Sequence, residues 1–104
     1  MAVQLQTLDP VTVVSAGTAY PLSAVHTAVT SVTIQAEFTN VSKLVVGASN
    51  VSSANGVEVP PGDTALIMVP ERGKASDEFF LDEIFITSTT SGDKARIVAW
   101  RRKP

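Results

Sequence analysis

No cysteine occurs anywhere in the chain, so neither a disulfide nor a thiolate metal site is open to it. Stability has to come from a packed core and from any partner. Charge is scarce as well: 17% of the residues are charged, against about 25% in an ordinary soluble domain. So little charge leaves neutral surface to be covered, which points to contacts with copies of the chain or with another protein. The formal net charge is −2, and without a basic field to hold a phosphate backbone the composition argues against a nucleic-acid partner. The one basic run, Arg101-Arg102-Lys103, reads as a solvated tail. No apolar run approaches the roughly 18 residues of a spanning helix, so no membrane partner is expected. The opening stretch MAVQLQTLDPVTVV lacks the basic and then apolar pattern of a secretory signal. The expectation is a chain made and kept in a cytosol, or built there into a larger particle.

Histidine is nearly absent too, with His26 alone. A familiar zinc site takes at least three protein ligands, which one histidine without cysteine does not supply. No Gly-x-Ser-x-Gly elbow is present, and only one histidine could serve as a base, so no catalytic residue is assigned. Asp82-Glu83, with Asp77 and Glu78 nearby, would offer paired carboxylates. On an extended strand, however, neighbours point to opposite faces, and these four read as a solvated loop leading into a strand. Gly47-Ala48-Ser49 and Asn55-Gly56 lack the spacing of a phosphate or dinucleotide loop and read as turns. Neither a metal nor a cofactor is expected.

What the sequence does contain is strand vocabulary: Val, Ile and Thr in short runs broken by turn residues. The clearest run is Ser31 to Phe38. Val32, Ile34, Ala36 and Phe38 share one face, and Thr33, Gln35 and Glu37 the other, which predicts a strand with one buried side. Leu44-Val45-Val46 follows the turn Thr39-Asn40-Val41-Ser42, and Thr64 to Val69 follows Pro60-Pro61-Gly62-Asp63, where prolines mark a strand start. Val11 to Val14 and Tyr20 to Leu22 are shorter candidates. Glu83 to Ser88 and Lys94 to Trp100 are expected to pair as an antiparallel hairpin through residues 89 to 93.

Roughly seven or eight short strands with frequent turns predict an all-β fold, a small antiparallel β-sandwich of jelly-roll or Ig-like kind, with a small barrel as the competitor. A chain of 104 residues suits a single domain with one core. Residues 1 to about 10 read as a short N-terminal arm and 101 to 104 as the basic C-terminal tail. Phe38 and Phe85 read as core. Phe79 and Phe80 are strand neighbours that cannot both face one core, so one of them and Trp100 are candidates for a subunit contact. The charged stretch Glu71 to Glu78 reads as a protruding loop. Asn40 and Asn50 fit the glycosylation pattern, but no secretory signal supports their use, and they read as turn formers.

Several segments taken in order carry a resemblance: Val13-Val14-Ser15-Ala16-Gly17-Thr18-Ala19, Leu22-Ser23, Ser31-Val32-Thr33-Ile34-Gln35-Ala36, Val45-Val46-Gly47-Ala48-Ser49-Asn50-Val51, Asn55-Gly56 and Pro61-Gly62-Asp63. Leu81-Asp82-Glu83-Ile84-Phe85-Ile86 and Ser91-Gly92-Asp93-Lys94-Ala95-Arg96-Ile97-Val98 continue the pattern. The chain resembles, over about residues 11 to 99, a family of small all-β structural proteins of tailed bacteriophages: head-decoration, capsid-fibre or minor virion proteins. The resemblance implies a non-enzymatic, homo-oligomeric capsid decoration or cement protein. It would be made in the host cytoplasm, located in the virion, and bound to the major capsid protein or other virion proteins. The alternative it leaves is a tail, fibre or baseplate module that binds a cell-surface glycan. Residues 69 to 80 are longer and more charged than the family's usual connection, so Glu71, Arg72, Lys74, Phe79, Phe80 and Trp100 are the candidate interface.

Overall fold

The computed structural model describes residues 3–68 and 79–102. They form an all-β fold in which every strand pair is antiparallel. The strands are β1 (Val3–Thr7), β2 (Val11–Thr12), β3 (Tyr20–Pro21), β4 (Ala28–Val29), β5 (Ser31–Ala36), β6 (Leu44–Gly47), β7 (Val57–Val59), β8 (Thr64–Met68), β9 (Phe79–Phe80), β10 (Phe85–Thr87) and β11 (Lys94–Arg102). Four of these are two residues long, which is why the described residues exceed the seven or eight strands read from the sequence. One sheet runs β1-β11-β5-β8, with β2 also on β11; the other runs β3-β10-β6-β7; β4 and β9 make a small third ladder.

The core lies between the two larger sheets and follows from alternation. Along β5, Val32, Ile34 and Ala36 are buried, while the intervening residues are partly or fully exposed. On β11, Ala95, Ile97 and Ala99 stand opposite Ala36, Ile34 and Val32 and are buried with them. The second sheet contributes Leu44, Val46, Val59 and Ile86, and Val13, Leu22, Val29 and Leu81 close the cluster. Each buried Val, Leu or Ile contributes about 1.5–3 kcal/mol relative to exposure, so this cluster is what holds a cysteine-free chain folded.

Three expectations change. The segments 83–88 and 94–100 do not form a hairpin: β10 pairs with β3 and β6, whereas β11 pairs with β1, β2 and β5. Residues 88–93 therefore carry the chain from one sheet to the other. Asp82 and Glu83 are not extended but sit in a 3-10 turn, Leu81–Glu83, and the strand starts only at Phe85. Finally, the N-terminal arm contains edge strand β1, Val3↔Arg102 through Thr7↔Val98, and Arg101 and Arg102 of the basic tail belong to β11.

Candidate functional site

Two regions at opposite ends of β5 carry the unusual side chains. By register, Ala36 faces Ala95 at one end and Ser31 faces Trp100 at the other, about 17 Å apart at strand spacing.

The first end is organised by Asp93. Its carboxylate is 3% exposed and accepts hydrogen bonds from the backbone N–H groups of Val41 (2.9 Å) and Ser42 (3.0 Å) and from the Ser88 hydroxyl (2.8 Å). A buried carboxylate is stable only when its oxygens are satisfied in this way. Next to it, the Asn40 side chain donates to the Lys94 carbonyl and accepts from the Lys94 N–H, both at 2.8 Å. Val13 completes the join, donating to the Asp93 carbonyl at 2.8 Å and accepting from Gly92 at 2.7 Å. Gly92 turns here at φ +95°, a conformation that suits glycine. Loops 13–18, 38–43 and 88–93 are thus locked together.

This rigid frame displays apolar side chains to solvent: Val14, Val41 and, most of all, Phe38, which is 86% exposed. Phe38 therefore does not join the core as its alternation predicted. The ladder between β5 and β11 ends at Ala36↔Ala95, and once the chain leaves the strand, period two no longer sets a side chain's direction. The Phe38 ring lies beside the turn glycine Gly62. Phe85, also expected in the core, is half-buried.

Between the two ends runs the outer face of the β1-β11-β5-β8 sheet, and its composition changes along the strands. Nearest Phe38 is a polar row, Arg96-Gln35-Thr64, followed by Thr7-Val98-Thr33-Leu66 and then Leu5-Trp100-Ser31. Arg96 Nε is 3.5 Å from the Glu37 carboxylate. A groove of about 660 Å³ crosses these rows and is lined by Thr7, Thr33, Gln35, Thr64, Arg96 and Val98 and by Leu8, Asp9, Pro10 and Ile97. A smaller depression of about 230 Å³ shares Gln35 and Arg96 and reaches Phe38. At the apolar end Trp100 is 43% and Leu5 is 52% exposed.

At the second end His26 stacks on Phe80, with ring centroids 3.7 Å apart and planes at 18°. His26 Nδ1 lies 2.9 and 3.0 Å from the two Asp82 carboxylate oxygens. β4 and β9 create this contact by pairing Ala28 with Phe80, and the Leu81 N–H extends it by donating to the Thr27 carbonyl at 3.0 Å. Of the candidate interface, Phe79 is half-buried and packed on the core, Phe80 lies half-buried under His26, and Trp100 is solvent-facing. Glu71, Arg72 and Lys74 lie outside the described residues. Sequence reasoning missed the His26–Asp82 pair, the anchoring role of Asp93 and the exposure of Phe38.

Among the described residues, no group of three or more His, Cys, Asp or Glu is placed to hold a metal ion. Compared with known proteins, the chain matches no family model, no curated protein and no solved structure.

Proposed function

We propose that this chain is a non-enzymatic structural component of a tailed-bacteriophage particle, a decoration or cement protein that binds the head surface and stabilises it. The observation that carries this reading is the apolar patch of Leu5 and Trp100 on the outer face of the five-stranded sheet. A partly exposed tryptophan beside an exposed leucine on a strand face is the kind of group that anchors a protein contact. The ordered segments from Val13 to Val98 that resemble bacteriophage head-decoration proteins support the same assignment. The partner is the major capsid protein or another virion protein, and copies of the chain associate with one another in a closed assembly. Its mechanism is linkage: a protein that binds the assembled shell better than the dissociated subunits shifts the equilibrium toward the shell.

The test uses particles of the phage that encodes the chain, prepared with and without it. Particles carrying the protein withstand heat better, and the purified chain rebinds depleted particles. Equal heat resistance together with failure to rebind would sink the assignment. A second reading, a tail, fibre or baseplate module, is favoured by one observation. Phe38 projects from the end away from Trp100, where a particle-bound module would present it outward.

A further inference from the structure

We propose that the groove between Phe38 and the Arg96-Gln35-Thr64 row binds a neutral oligosaccharide. The site is read from its own geometry and does not depend on where in a particle the module sits, or on whether it sits in one.

The argument starts from Phe38. A phenylalanine 86% exposed at the tip of a loop fixed by Asn40 and Asp93 has no polar atom to justify its position in water. Its loop is held from below by bonds to β11 and to Asp93, so the ring is presented on a rigid base. An aromatic face carries negative quadrupole charge and takes up the positively polarised C–H face of a pyranose. That accounts for one wall of a sugar site.

The remaining wall supplies what the sugar hydroxyls need. Thr33, Thr64 and Thr7 offer hydroxyls that both donate and accept, and Gln35 offers two donors and an acceptor. Arg96 adds planar donors, with its charge opposed by Glu37 at 3.5 Å. The groove is lined by Asp9 as well, so it has no surplus cation to hold a phosphate, sulfate or carboxylate ligand, and its hydroxyl and amide groups, set among the apolar surface of Leu8, Pro10 and Val98, fit the mixed hydroxyl and C–H faces of a sugar. Its volume of about 660 Å³, with the 230 Å³ depression leading to Phe38, falls within the range of small-molecule sites, about 300–1,000 Å³. Val14 and Val41 are exposed at this end as well, but neither lines the groove or the depression, so a protein contact on them would leave the groove itself uncovered.

The experiment is a two-dimensional 15N–1H titration of the full chain with four neutral disaccharides, cellobiose, chitobiose, lactose and maltose, and with sorbitol as the control. Each is raised to about 20 mM, above the roughly millimolar Kd expected of a shallow site. At least one disaccharide is expected to shift the backbone signals of Thr33, Gln35, Phe38 and Arg96 saturably, with no matching shift from sorbitol. Phe38→Ala is expected to weaken binding at least about tenfold, the equivalent of 1.4 kcal/mol, while Phe38→Tyr retains it. Because Phe38 lies outside the core, the rest of the variant's spectrum reports that it is folded, and Gln35→Ala provides a second probe of the polar wall. The proposal is overturned if none of the four sugars shifts these residues, or if sorbitol reproduces the shifts. It is also overturned if the shifts survive both Phe38→Ala and Gln35→Ala, or if Phe38→Ala dissolves an oligomer without any sugar response. Particle rebinding is a separate readout, so loss of sugar binding and loss of virion attachment are told apart.

Discussion

Around Asp93 three loops meet on one buried carboxylate, whereas around His26 the chain is clasped by one ring stacked on another and by a hydrogen-bonded side-chain pair open to solvent. The two ends are fastened at similar sequence distance: Asp93 reaches Val41 across 52 residues and His26 reaches Asp82 across 56. They differ in water content. Asp93 is 3% exposed, so removing it takes away one buried carboxylate that three donors share. The His26 and Asp82 side chains are 59% and 32% exposed, so water replaces most of what they give each other. A rigid frame follows in the first case, and a light clasp in the second. The end that displays the most exposed aromatic is the end with the stronger frame, as a preformed binding surface requires.

Substitutions at the two ends should separate accordingly. Asp93→Ala orphans the N–H groups of Val41 and Ser42 and the Ser88 hydroxyl. With the Ser88 bond buried and the Val41 and Ser42 bonds part-buried, we expect a loss of about 2–3 kcal/mol in urea denaturation, from about 1–3 kcal/mol for a buried group left unpaired. A loss below about 1 kcal/mol would remove the contrast between the ends. Second in size are two glycines with similar backbones. A methyl group on Gly56, at φ +93°, would come within 2.7 Å of the Val46 carbonyl oxygen and 2.9 Å of the Val45 and Val51 side chains. On Gly92, at φ +95°, it would meet nothing within 4 Å. Gly92→Ala is expected to cost about 1–2 kcal/mol for left-handed backbone alone, and Gly56→Ala clearly more, with a correspondingly lower thermal midpoint. Equal midpoints would show that the crowding at Gly56 relaxes freely.

The smallest effect belongs to the clasp. His26→Ala removes the stacking on Phe80 and the hydrogen bond with Asp82, and is expected to cost about 1 kcal/mol or less, given the usual worth of an aromatic pair and of an exposed hydrogen bond. Amide exchange should then accelerate at Ala28 and Leu81 without reaching the Asp93 loops. Acceleration that spread to Val41 or Ser42 would show that the two ends are mechanically coupled.

Much of this architecture was legible because strand signals are local. Val32, Ile34 and Ala36 declared the buried side of β5 by alternation, and the prolines before Gly62 marked the approach to β8. The loops were legible as loops: Asn40 closes a turn by donating to the Glu37 carbonyl, Ser42 lies in a bend and Gly92 in a turn. What failed depended on distant partners. β10 and β11 looked like a hairpin because each alternates and a turn lies between them, but periodicity does not say which sheet a strand joins. Phe38 looked buried because its parity matched Ala36, and nothing in the sequence marks the strand's end two residues earlier. His26 and Asp82 carry no spacing signature, since two unrelated elements, β4 and β9, bring them together.

The central claim is that the chain works by contact, docking through the Leu5-Trp100 end and leaving the Phe38 end free. The most direct test of the proposed virion role is co-sedimentation of purified chain with particles depleted of it, comparing wild type, Trp100→Ser and Phe38→Ser. Wild type and Phe38→Ser should pellet with the particles, and Trp100→Ser should stay in the supernatant while remaining folded by circular dichroism. A wild-type chain that fails to pellet, or a Trp100→Ser variant that pellets as well as wild type, would contradict the account.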